Sequence, residues 1–438
     1  MNRLRRLLLL VAATVFSSPV AATTDLIGIY ELARQHDASW QAAQATLLAE
    51  RERVPQARAA ILPNVSADAG ASRNRQDATG SGTDSFTQTQ IGVALTQSLY
   101  DRQRRLGIDL AQDQVTLAER VLDRAGEALI LRVADRYFAV LAALDNVELA
   151  GAEKTAIARQ LELAQERLEV GLGTVTDLYD AQARFQLAQA EELRALSALE
   201  DAREALAEIN GGFSDELAPL QEVTPLDDPE PADANAWVDR ALAGNTELEL
   251  QRIEAELARQ GIEIQRAGNQ PRVDLQLSHR NVDNRSALPG AGGDRDSTSA
   301  GVQLVVPLWQ GGRVASSTRE AGFRYDAALK TLEATERNVR RSARTAYLDV
   351  VTAVRSVIAL DQAVTASESA LEARREGFEA GIFPNLDVLD AQRDLFRARR
   401  DYLGARYGYI LSRLRLQEIT GSLDEDDLRL VNTWLRHP

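Results

Sequence analysis

The sequence predicts a mixed fold of two duplicated halves, each joining two amphipathic β-strands to a long α-helical hairpin. Three observations carry that reading. Asp177-Leu178-Tyr179-Asp180-Ala181-Gln182 returns as Asp387-Val388-Leu389-Asp390-Ala391-Gln392, a shift of 210 residues kept by Gly171 and Gly381 and by Tyr137 and Tyr347. Upstream, Pro63 pairs with Pro271 at a shift of 208. Such a period is far longer than the roughly 20 to 50 residues of a solenoid unit, so it marks duplication of one structural half. Period-two apolar patterns occur in two pairs, one pair per half. Two proline-free stretches, from about Asp101 to Val170 and from Gly312 to Ala380, are rich in strong helix formers.

At the N-terminus, Arg3, Arg5 and Arg6 precede an apolar run from Leu7 to Phe16, followed by small residues at Val20-Ala21-Ala22. This is the grammar of a secretory signal peptide over residues 1–22. The run is too short for a spanning helix, which needs about 20 residues, and no later segment reads as apolar enough to span. Without cysteine there is neither a disulfide framework nor a cysteine lipid anchor. Removing the leader takes away three arginines and no acids, so the net charge falls from −15 to −18. That acidity excludes nucleic acid as a partner class.

The first half, residues 23–212, opens with a helical stretch near Leu26–Ala60 that Pro63 and its constrained predecessor stop. Val65, Ala67, Ala69 and Ala71 then alternate with Ser66, Asp68, Gly70 and Ser72. A polar loop, Asn74–Ser85, leads to Thr87, Thr89, Ile91, Val93 and Leu95 on one face. In the second half, residues 237–421, Val273, Leu275 and Leu277 alternate with polar residues; a loop around Pro289–Asp296 precedes Ala300, Val302, Leu304 and Val306. Strands with one apolar and one polar face suit a membrane barrel, or equally two wetted periplasmic hairpins. Four strands cannot close a barrel, because the smallest use about 8 and lipid tolerates no open edge. The chain therefore oligomerises, as a dimer or a trimer.

The long helices favour the barrel. A helix of about 70 residues reaches about 105 Å, against an average of about 11 to 12 residues per helix in globular domains. Apolar residues recur at steps of three and four: Val147, Ala150, Ile157, Leu161, Ala164 and Leu168, interrupted by Lys154. On the return helix near Thr174–Asn210 the seam runs Leu178, Ala181, Phe185, Ala188, Ala195, Leu199, Ala202, Leu206 and Ile209, interrupted by Glu192. The second half keeps this register from Val388 to Ile419. These are heptad seams. Catalysis has no foothold: His36, His279 and His437 are far apart, cysteine is absent, and no glycine-rich phosphate loop follows a strand. No cofactor or metal is expected. The two function classes are an export conduit and a trimeric coiled-coil structural or adhesive protein; strands split between two duplicated halves favour the conduit.

Thr96-Gln97-Ser98-Leu99-Tyr100-Asp101, Pro307-Leu308-Trp309-Gln310-Gly311-Gly312, Val170-Gly171-Leu172 and Leu386-Asp387-Val388-Leu389-Asp390-Ala391 resemble the TolC-like outer-membrane efflux proteins, over essentially the whole mature chain. The resemblance implies a homotrimer in outer-membrane lipid with twelve barrel strands, four from each chain, above a periplasmic α-helical tunnel. It implies an equatorial region, here residues 213–236 and the tail 422–438. It also implies passive export of drugs, metals, lipids or proteins delivered by a periplasmic adaptor and an inner-membrane pump of the RND or ABC class. Phe86, Tyr100 and Trp309 suit the membrane interface.

The same resemblance places Asp387 and Asp390 at the pore constriction, where a threefold axis gathers six carboxylates and attracts cations. Helix-start chemistry is the competing reading: Asn385 would cap, with acids in the first turn. For Asp177 and Asp180, after Thr174 or Thr176, capping is the favoured role. The hairpin tips, Val170-Gly171-Leu172 and Ala380-Gly381-Ile382, are the implied adaptor docking points, and tight turns need such glycines in any case. The family's founding type latches its closed end with a tyrosine and an arginine. Phe378 and Phe383 stand there in this chain, so closure is expected to rest on apolar packing, with Asp177 lacking its usual partner.

Overall fold

The computed structural model describes residues 24–78, 82–212, 216–286 and 293–436. The leader with its cleavage residues, Phe213, Pro289 and His437 lie outside the described residues.

The upper part of the first half is three helices rather than one: α1 (Leu26–His36), α2 (Ala38–Arg51) and α3 (Arg53–Ala59). Asp37 ends α1 and caps α2, accepting from the Trp40 amide at 2.7 Å. Pro55 explains the second break, since its ring clashes with the carbonyl four residues back, at Arg51. The second half repeats the plan with α6 (Ala234–Gly244) and α7 (Thr246–Ala267), Asn245 taking the capping role of Asp37. α6 thus begins inside the stretch read as a linker.

The strands β1 (Asn64–Ala78), β2 (Gly82–Asp101), β3 (Arg272–Ser286) and β4 (Gly293–Val305) form one antiparallel sheet in the order β1-β2-β3-β4. Its register puts the apolar residues of all four strands on one face: Val65 pairs with Leu95, Leu95 with Leu277, and Leu277 with Ala300. That face is open in the single chain, with Val65, Ile91, Val302 and Leu304 all more than 60% exposed. The expected loop Asn74–Ser85 is corrected. Pairing continues through Asn74–Phe86 and Arg75–Ser85 to Ala78–Gly82, and β4 likewise starts within the predicted second loop. Backbone pairing needs no apolar side chains, so the strand outruns its apolar signal.

The long helices are α4 (Arg102–Glu169) and α8 (Arg313–Glu379), returned by α5 (Val175–Asn210) and α9 (Asn385–Thr420). At 1.5 Å per residue α4 is about 100 Å long. Its upper half is flanked by α1, α2 and α3 and its lower half by α5; α8 is flanked likewise by α7 and α9. In α8 one 18-residue window reaches a mean hydropathy of 1.2, a correction to the expectation of no later apolar span. Val350, Val354 and Val357 of α8 are buried seam residues, yet only 17% of that window is buried in the single chain, so most of its apolar surface is left open.

At mid-height the largest core joins α1, α4, α5, α8 and α9 to α10 (Glu425–Asn432). Tyr137 and Tyr409 are fully buried there, and the Tyr137 hydroxyl donates to the Ala218 carbonyl at 2.8 Å. Backbone bridges Thr24–Leu217 and Leu220–Leu435 tie the equatorial segment to both chain ends. In the first hairpin the two seam exceptions meet: Lys154 Nζ donates to both Glu192 oxygens at 2.6 and 2.5 Å.

Candidate functional site: the hairpin tips

Four helices end together at the tips, and local chemistry ends them. At Gly171 and Gly381 φ is +76° and +75°, the left-handed turn that glycine adopts without strain. Leu172 and Ile382, beside them, are 80% and 72% exposed. Thr174 starts α5 with a capping box: its hydroxyl accepts from the Asp177 amide at 3.1 Å while Asp177 accepts back from the Thr174 amide at 3.2 Å. Asp177 is thus held by its own helix start, and Asp180 lies half-buried one turn further on.

The second tip differs. Pro384 occupies the N-cap of α9 and makes no side-chain cap bond. The expected cap Asn385 is instead the first residue of the helix, 4% exposed, and its side-chain oxygen accepts from the Gln160 amide group of α4. Helix entry over proline leaves Asn385 free to face the other hairpin. Phe383 folds back onto α8, where a Cβ on Gly377 would lie 2.2 Å from its ring. Phe378 is buried with Leu371, Val388 and Leu395.

Three polar or charged links join the hairpins at the tips, beside the apolar packing of Phe378. The Arg167 guanidinium of α4 lies over the Phe378 ring, 4.1 Å from its centroid. Arg184 of α5 pairs with Asp390 of α9 at 2.6 Å. Gln160 bonds Asn385 as described. Within the second hairpin, Arg374 pairs with Asp387 at 2.9 Å and also covers the Phe383 ring at 4.9 Å. Arg393 reaches Asp390 at 3.4 Å and Asp394 at 3.2 Å. The phenylalanines therefore do meet charge, through their ring faces. One step up the seam, burial pushes the Glu153 carboxyl above its ordinary range against the pull of Arg400.

Sequence reasoning missed Arg167, Arg184, Arg374 and Gln160. A signal existed in the repeat: at a shift of 210 their counterparts are Gly377, Asp394, Ala164 and Ala370, so the halves diverge in charge or size where the tip contacts are made. Among the described residues no group of histidine and acidic side chains has the arrangement of a metal site.

Residues 29–212 and 237–422 match the outer membrane efflux protein family. The chain is 35% identical to outer membrane protein TolC of Vibrio cholerae serotype O1, covering 100% of this chain and 99% of that one. It is 32% identical to the alkaline protease secretion protein AprF of Pseudomonas aeruginosa, covering 93% and 86%. The crystal structure of the Campylobacter jejuni CmeC outer membrane channel superposes with a TM-score of 0.79 at 15% identity, over 93% of this chain and 89% of that one. The fold is accordingly that of a channel protomer: four strands given to a trimeric twelve-stranded barrel, and two hairpins to the helical tunnel beneath it.

Proposed function

The chain belongs to the outer membrane efflux protein family, and from that premise we propose how its tips serve it as the exit channel of an efflux or type I secretion system in the outer membrane. The family gives outer-membrane placement and a transport role, and none of these relatives is an adhesin. The chain is a passive duct and not an enzyme. Three copies close the barrel by pairing the two free sheet edges, β1 and β4, which lipid would not tolerate unpaired. Asp387 and Asp390 line the constriction at the lower end of the tunnel, with Phe378 and Phe383 packing behind them.

The exposed Leu172 and Ile382, each beside a tight glycine turn, are the observation that carries adaptor docking: apolar side chains on a loop apex without internal partners call for a protein surface. The adaptor in turn connects the duct to an inner-membrane pump of the RND or ABC class. Photo-crosslinking from Leu172 and Ile382 in exporting cells, with mass spectrometry of the captured partner, tests this. An adaptor of a proton-driven pump identifies an efflux duct, and one of an ATP-driven exporter a secretion duct. No adaptor captured from either position refutes the docking assignment.

A further inference from the structure

Each carboxylate assigned to the constriction already has a guanidinium in contact with it. Asp387 meets Arg374 at 2.9 Å, and Asp390 meets Arg184 at 2.6 Å and Arg393 at 3.4 Å. Asp394, next in line, shares Arg393 at 3.2 Å. Three carboxylates are thus matched by three arginines within one protomer. Two of these arginines, Arg184 and Arg374, come from helices other than the one carrying the aspartates. None of the three arginines is more than half exposed, so the pairs are built into the packing of the tip.

From this geometry we propose that Arg184 and Arg374 set the ion selectivity of the channel by neutralising the constriction ring in its closed form. The inference rests on the placement of Asp387 and Asp390 in the pore proposed above. A ring of six bare carboxylates would concentrate cations strongly; a ring in which every carboxylate holds a guanidinium presents little net charge to a passing ion. Contacts of 2.6 to 2.9 Å are far inside the screening length of about 10 Å at 0.1 M salt, so the compensation survives ordinary ionic strength. Arg184 has a second consequence, because its partner lies on the other hairpin. Drawing the hairpins apart would leave Asp390 only Arg393 of its own helix, which it shares with Asp394, so an opening tip becomes more cation-selective as it widens.

Reversal potentials of the purified full-length protein in planar bilayers, under a potassium chloride gradient, test the proposal. Wild type is expected to discriminate weakly. Arg184→Gln and Arg374→Gln, each alone and each removing three guanidiniums per trimer, are expected to raise the cation-to-anion permeability ratio at least about fivefold, the weight of a single unit charge acting across about 4 Å of water. Arg184→Lys keeps the charge and is expected to stay near wild type, while Asp390→Asn shifts the ratio toward anions. If both glutamine variants match wild type while Asp390→Asn lowers the ratio, the aspartates line the pore but are not compensated, and the inference is overturned. If Asp387→Asn and Asp390→Asn also leave the ratio unmoved, the pore placement itself fails. Testing two arginines on separate helices guards against one variant failing to assemble.

Discussion

The two hairpins descend from one duplicated unit, yet they solve the same turn in opposite ways. In the first, Arg167 stands on the descending helix and Gly173 follows the turn; in the second the order of bulk is reversed, with Gly377 on the helix and Phe383 after the turn. A Cβ on Gly173 would come within 3.2 Å of Arg167 Cβ, and one on Gly377 within 2.2 Å of the Phe383 ring. One site cannot hold two bulky groups, so each hairpin keeps one. The exchange frees Arg167 to reach across to Phe378. The seams diverge in the same manner: Lys154 and Glu192 pair in the first hairpin where Val364 and Tyr402 stand in the second. The difference teaches that duplication supplied the tunnel wall, and later divergence supplied the contacts between its unequal staves.

The comparison breaks most sharply at Gly377. Gly377→Ala drives a methyl into the Phe383 ring and is expected to cost about 3 kcal/mol, the upper range for overpacking. Thermal melts of the detergent-solubilised protein should show the loss, and adding Phe383→Ala should restore most of it through the shared contact. Gly173→Ala, facing Arg167, should cost clearly less. Next comes the seam pair. Lys154→Met strands Glu192 in a half-buried site and is expected to cost about 2 kcal/mol, whereas Lys154→Val with Glu192→Tyr, which copies the second hairpin, should lie within about 1 kcal/mol of wild type. The same melts decide it. The smallest effect belongs to the cap. Thr174→Ala removes the capping box and should cost about 1 kcal/mol, while Pro384→Ala, at a cap with no side-chain bond, should change stability less.

Much of the architecture was legible because its signals are periodic. Heptads over α4, α5 and α9, alternation on β1 to β4 and glycines at both turns each report local geometry directly. Breaks set by single residues were harder to see: Pro55 divides α2 from α3 although the flanking pattern reads as continuous helix. The strand ends were hidden for another reason, since a run of polar residues such as Asn74–Ser85 has no apolar alternation to display. At the tips, the capping role of Asp177 follows from Thr174 three residues before it. The partners of Asp387 and Asp390 do not follow from spacing. Arg184 and Asp390 are 206 residues apart, and only the packing of one hairpin on the other brings them to 2.6 Å. Comparing the halves residue by residue marks such positions, because residues that make contacts in one half only, such as Arg184 against Asp394, differ between the halves.

The central claim is that the chain forms a conduit whose resistance lies where the two hairpins are tied together. Single-channel conductance in planar bilayers tests it most directly, comparing wild type with the double variant Arg184→Gln, Phe378→Ala, which removes two of the three links. The expected result is a small wild-type conductance and one several-fold larger in the variant. A wild-type protein that assembles yet carries no transmembrane current, or a variant whose conductance equals that of wild type, would contradict the account.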